Sequence, residues 1–190
     1  MINENEQSAI NIFIEGVESV KAGKNEEAIE QWGEAIRLKP DYALAFFNRG
    51  VALYKQSRFA DANADFSKAI RFDNQLADAH YMLGVLAIRR GDLGEAERDF
   101  DQAIRFNPYD SMAFCFRGLL RNFRGEFFDA EKDLRDALGR DQDNAYAHLY
   151  LGFVLSRLGE NIEAITEFRR AIELNPDLPQ PTFPLEGRHN

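Results

Sequence analysis

Cysteine is almost absent: Cys115 is the single one among 190 residues, so no internal disulfide forms and nothing in the fold depends on an oxidising compartment. No uninterrupted apolar run approaches the roughly 20 residues that a membrane-spanning helix needs. The opening stretch, MINENEQSAINIF, has no basic segment followed by an apolar one and does not read as a secretory signal. Basic charge is in deficit, since 23 Lys and Arg face 32 Asp and Glu for a formal net charge of −9. That sign repels phosphate backbones and argues against a nucleic-acid partner. Histidine is scarce too, and His80, His148 and His189 form no cluster with metal-ligand spacing. A glycine-rich phosphate loop and a nucleophile elbow are both missing. These absences predict a soluble, cytoplasmic, non-catalytic chain with no cofactor, metal site, nucleic-acid partner or membrane insertion.

What the sequence has in abundance is repetition. Glycine stands at 16, 50, 84, 118 and 152, each step being 34 residues. Alanine keeps the same step twice, at 28, 62, 96, 130 and 164 and at 35, 69, 103, 137 and 171. A large apolar residue precedes the second alanine by three each time: Trp32, Phe66, Phe100, Leu134 and Phe168. Ile36, Ile70, Ile104, Leu138 and Ile172 follow it, and Pro40, Pro108 and Pro176 close alternate units.

One unit, residues 77–110, shows the physics. Its first half carries Tyr81, Val85 and Ile88 on one helical face and His80, Leu83, Gly84 and Ala87 on another. Gly91-Asp92 breaks the helix. The helical period then resumes through Ala96, Phe100, Ala103 and Ile104 until Asn107-Pro108 ends it. Small residues at Gly84, Ala96 and Ala103 let two antiparallel helices approach closely. Such a hairpin is too small to bury its own apolar surface, and stacking five of them creates a continuous core.

This pattern resembles the tetratricopeptide repeat family, whose 34-residue signature runs Trp, Leu-Gly, Tyr, Ala, Phe, Ala, Pro. The units are 9–42, 43–76, 77–110, 111–144 and 145–178, with a proline-rich tail at 179–190. Departures occur in the signature Trp column (Ile12, Phe46, His80, Phe114, His148) and Leu column (Glu15, Arg49, Leu83, Arg117, Leu151), and the Tyr column is not kept. The resemblance implies an all-α fold, a right-handed superhelical solenoid of five helix-turn-helix units forming one domain over 1–178. It also implies a concave groove lined by the first helix of each hairpin.

The positions that the resemblance assigns to the groove are Phe13, Val17, Phe47, Val51, Tyr54, Lys55, Tyr81, Val85, Ile88, Arg89, Met112, Cys115, Leu119, Tyr146, Leu149 and Phe153. The lining is mostly apolar and aromatic, which suits a partner surface better than a solvated helix face. Co-chaperone members grip carboxylates with Lys and Asn where this chain has Phe13, Val17, Phe47 and Val51, so that clamp is not expected here. The implied function is a scaffold or adaptor that takes a peptide or helix of another protein in the groove. The alternative is an assembly factor or structural subunit that works through an end or the convex face.

Within this frame, Cys115 marks a groove wall and offers an accessible labelling position. Lys21, Lys55, Arg89 and Arg157 form a near-regular basic row at the ends of first helices, where the helix dipole favours cations. Arg49 and Arg117 stand in a column that is otherwise apolar in later units, and Asp65 and Asp133 are their expected partners, with Asp99 a rival for Arg117. Gly139 weakens the second helix of unit four. The last hairpin leaves Ile165, Phe168 and Ile172 uncovered, to be met by Leu178, Phe183 and Leu185 of the tail or by self-association through that end.

Overall fold

The computed structural model describes residues 4–178, which form ten α-helices and no strand. They pair as α1 (Glu4–Lys21) with α2 (Asn25–Leu38), α3 (Ala43–Lys55) with α4 (Phe59–Phe72), and α5 (Ala77–Arg90) with α6 (Leu93–Phe106). A further two hairpins are α7 (Ser111–Arg124) with α8 (Phe127–Arg140), and α9 (Ala145–Leu158) with α10 (Asn161–Leu174). The chain groups into two compact units, Met1–Pro108 and Tyr109–Asn190, holding three and two of these hairpins.

In the first unit each hairpin closes on one contact. A Cβ added at Gly16 would lie 2.5 Å from Nε1 of Trp32, and one at Gly50 or Gly84 would lie 2.8 Å from the ring of Phe66 or Phe100. Hydrogen at that position lets the ring lie flat on the helix backbone, and Phe66 and Phe100 reach 0 % exposure. Trp32 also donates Nε1–H to the Phe13 carbonyl at 3.2 Å, satisfying the buried indole. The alanine columns, Ala28, Ala35, Ala62, Ala69, Ala96 and Ala103, are wholly buried beside them. The second unit repeats the scheme with Leu134 against Gly118 and Phe168 against Gly152.

Tight turns join the helices of each hairpin. Gly23, Gly91, Gly125 and Gly159 occupy the left-handed region at φ of 76°, 80°, 79° and 88°, the conformation that ends a helix when a Cβ is absent. Ser57 fills this place in the second hairpin at φ 62°, the single non-glycine residue with positive φ among those described. Gly139 does not interrupt α8, which continues to Arg140, and the Arg140 guanidinium lies 3.8 Å from the ring centre of Phe114.

Polar groups inside the hairpins follow an alternating scheme. Arg49 donates Nε–H and Nη2–H to the two oxygens of Asp65 at 2.7 and 2.8 Å, and Arg117 grips Asp133 in the same way at 2.9 and 2.8 Å. Arg121 adds a third cationic contact to Asp133 at 2.9 Å. Both expected pairs are therefore present, with Asp65 and Asp133 buried at 4 % and 2 % exposure. Asp99, the rival for Arg117, instead lies 3.6 Å from Nδ1 of His80. His80 and His148 sit in equivalent places in the third and fifth hairpins. Nε2 of each meets a loop carbonyl, Asn74 at 3.1 Å and Gln142 at 3.0 Å, and Nδ1 of His148 meets Glu167 at 2.5 Å.

Two outcomes test this packing. Gly118→Ala forces a Cβ to 2.8 Å from Leu134 and 3.2 Å from the Ala130 carbonyl, a backbone atom that cannot turn aside, and is expected to cost about 1–3 kcal/mol. Gly139→Ala meets open space and is expected to gain up to ~1 kcal/mol. Urea midpoints that shift the same way for both variants would contradict the assignment. The histidines give the second test, because the carbonyl and carboxylate facing each ring are both acceptors and favour the imidazolium. Asp99, aided by the Asn74 carbonyl, raises the pKa of His80 against the effect of burial. At His148 burial opposes the charge, but Glu167 and the Gln142 carbonyl outweigh it and the pKa is again raised. A raised folded pKa contributes stability fully below the unfolded value of about 6.5 and loses it as pH climbs through the folded value. The unfolding free energy should therefore fall between pH 6 and 8.5 by more in the native chain than in a His80→Gln/His148→Gln variant.

Candidate partner-binding face

In the first unit the candidate positions lie on α1, α3 and α5. Phe13, Val17, Phe47, Val51, Tyr54, Tyr81, Val85 and Ile88 are all half-buried, whereas Lys55 and Arg89 are exposed. Each apolar residue has one side in the core. Phe13 and Val17 pack on the cluster around Trp32, and Phe47, Val51 and Tyr54 pack on Leu53, Phe66 and Leu86. Ring contacts hold the aromatic members: Phe13 with Tyr42 at 5.1 Å between centroids, Phe47 with Phe66 at 5.8 Å, and Tyr81 with Phe100 at 6.1 Å. The outcome is a set of anchored side chains whose remaining surface faces solvent, with Leu44 more open at 45 %.

In the second unit the pattern divides. Tyr146 and Phe153 are exposed at 41 % and 38 %, and Met112 and Leu119 are half-buried. Cys115 and Leu149 depart from expectation, being buried at 0 % and 2 % exposure. At this place in their hairpins Phe13, Phe47 and Tyr81 carry long rings that reach past their neighbours, whereas a thiol or a leucine ends beneath them. Cys115 is therefore no labelling site, and burial raises its thiol pKa and keeps it neutral. Burial also pushes the nearby Tyr150 phenol up to about 12, with Cys115 and Tyr146 contributing.

The C-terminal hairpin needs a second correction. Phe168 is not uncovered: it is buried at 4 % against Gly152, with its ring in edge contact with Phe153 at 5.0 Å. It is the hairpin's own closing residue, like Trp32 in the first. Ile165 is exposed at 46 % and Ile172 is half-buried. Leu178 is buried, and Phe183 and Leu185 lie outside the described residues.

Sequence reasoning passed over two features. Phe128 and Ile162, each the second residue of a second helix, are exposed at 79 % and 87 %, and their 34-residue separation was a legible signal. A cavity of about 500 Å³ lies between α4 and α5, lined by Phe59, Ala60, Asn63, Leu86, Arg89 and Arg90. Two members of the basic row make local contacts: Lys21 pairs with Glu18 at 2.7 Å, and Arg89 lies over the ring of Phe59. Among the described residues no group of His, Cys, Asp and Glu could hold a metal ion, and no helix is long and apolar enough to cross a membrane.

Known proteins share this architecture. A family profile described as "TPR repeat" matches residues 18–57, and one described as "Tetratricopeptide repeat" matches 77–110 and 145–178, together more than half the chain. Among solved structures, MamA from Desulfovibrio magneticus RS-1 is 19% identical with a TM-score of 0.76, covering 93% of this chain and 98% of that one. YrrB, described as a TPR protein with an unusual peptide-binding site, is 22% identical with a TM-score of 0.73 over 93% and 91%. Pseudomonas aeruginosa pilF is 16% identical with a TM-score of 0.79 over 91% and 79%. No curated protein sequence matches. The repeat profiles and the shared fold agree with the glycine and alanine columns, and the chain belongs to the tetratricopeptide repeat family.

Proposed function

We propose that this protein is a non-catalytic interaction scaffold that holds a peptide or helical segment of a partner protein against the apolar face of its first helices. The observation that carries the reading is the half-burial of Phe13, Val17, Phe47, Val51, Tyr54, Tyr81, Val85 and Ile88. Side chains seated in the core on one side and open on the other lose little conformational freedom when a ligand covers them. An apolar segment laid on them gains burial at about 25 cal/mol per Å². Met112, Leu119, Tyr146 and Phe153 are the corresponding contacts in the second unit, and Lys55 and Arg89 stand at the rim. YrrB, with its peptide-binding site, supports this use of the fold by analogy.

A second reading, assembly or self-association through the last hairpin, is favoured by the exposure of Ile162 and Ile165. Affinity purification of the intact protein with mass spectrometry identifies a partner, and two variants then separate the readings. Tyr81→Glu, with unchanged circular dichroism, is expected to reduce affinity for that partner at least tenfold, and Ile162→Glu to leave it unchanged. The reverse result rejects the scaffold face in favour of the terminal hairpin, as does concentration-dependent dimer mass by light scattering that Ile162→Glu abolishes.

A further inference from the structure

The cavity between α4 and α5 combines an apolar floor with a cationic wall. Leu86 is buried at 2 %, Phe59 opens α4, and Ala60 beside it ends at its methyl group. The wall comes from Arg89 and Arg90, the last two residues of α5. Arg90 is engaged, donating to Asn63 Oδ1 at 2.8 Å and to Glu95 Oε2 at 2.7 Å. Arg89 is not. Its guanidinium carbon rests 3.8 Å from the ring centre of Phe59, and no described carboxylate pairs with it. An unpaired guanidinium over an aromatic face keeps its N–H donors for an incoming anion, and stacking fixes the plane in which they point.

The repeat shows why the cavity occurs at this junction. Where α2 meets α3, Glu26 stands in the place of Ala60 and Gln56 in the place of Arg90, and Gln56 Nε2–H donates to Glu26 at 2.8 Å, bridging the gap. Where α8 meets α9, Phe128 takes the place of Ala60 and Leu158 that of Arg90. Of the three such junctions lying within a unit, one joins a methyl side chain to two guanidinium groups and a phenylalanine ring.

We propose that this cavity binds a carboxylate of a partner peptide together with the apolar side chain next to it. The carboxylate forms charge-assisted hydrogen bonds with Arg89, and its apolar neighbour covers Phe59, Ala60 and Leu86. A volume of about 500 Å³ falls within the range of built ligand sites and suits one or two side chains. In a chain of net charge −9, a guanidinium that no described carboxylate pairs with favours an acidic ligand at this point of the surface. Tyr54 stands edge-on to Phe59 at 5.4 Å, so the cavity adjoins the α3 face to which the scaffold function is assigned. The inference rests on that assignment in taking the ligand to be a peptide.

Affinity selection from two random octapeptide libraries tests it, one amidated at the C-terminus and one ending in the free carboxylate. The intact protein is the bait, and selected peptides are ranked by fluorescence anisotropy. Peptides placing Asp or Glu beside Leu, Phe or Met should be enriched from the amidated library if side-chain carboxylates are read. Enrichment of terminal apolar residues from the free-acid library alone assigns the site to chain ends. In either case Arg89→Gln, at an exposed residue, should weaken binding at least tenfold. Ala60→Phe, which copies the residue of the fourth hairpin, should abolish it. An absence of enrichment, or enriched peptides indifferent to both variants, overturns the proposal. Peptides that lose binding with Tyr81→Glu but not with these two reject the cavity and keep the scaffold face. Peptides lost with these two but not with Tyr81→Glu keep the cavity and reject the face.

Discussion

The contact between a glycine on each first helix and the bulky side chain sixteen residues later governs the rest of the molecule. With no Cβ at Gly50 or Gly84, the ring of Phe66 or Phe100 lies on the helix backbone and the two helices come together. This close approach turns the remaining faces of each first helix outward. Phe47 and Tyr81 thereby gain a core side and a solvent side. Each hairpin states the same constraint, with Trp32 and Leu134 in place of phenylalanine where the fit differs.

The fold was legible because the repeat oversampled it: the glycine and alanine columns appear five times, and chance does not align them. The ion pairs of Arg49 and Arg117 were legible for the same reason, since a charged residue in an apolar column needs a counter-charge on the facing helix. Cys115 and Leu149 were misplaced because column position fixes the direction of a side chain and not its reach. Phe168 was misplaced because its lack of a following helix outweighed its own glycine partner in the reading. The α4–α5 cavity was invisible because it arises from the absence of bulk at Ala60, and an absence signals nothing until its neighbours are in place.

The polar interior adds a rule that single units do not show. Hairpins two and four carry an arginine clamped on a buried aspartate, and hairpins three and five carry a histidine that meets a loop carbonyl through Nε2 and faces a carboxylate with Nδ1, at 3.6 Å from Asp99 and 2.5 Å from Glu167. A buried charge left without its counterpart costs several kcal/mol. The second helix of each of these hairpins supplies that counter-charge from one column, Asp65, Asp99, Asp133 and Glu167, at the 34-residue step. The alternation therefore lies on the first helices alone, where arginine and histidine take turns facing a constant carboxylate column.

The sixteen-residue span of the closing contact also bears on how the chain acquires its structure. Each hairpin can complete its defining interaction as soon as its own 34 residues are available, without awaiting any distant segment. Contacts of such short sequence separation carry a small loop-closure penalty and favour rapid folding. On a ribosome, hairpins would form in order of emergence, each offering a finished surface to the next. Ser57, holding a left-handed turn where the other hairpins have glycine, places the most strained closure in the second hairpin, early in that order.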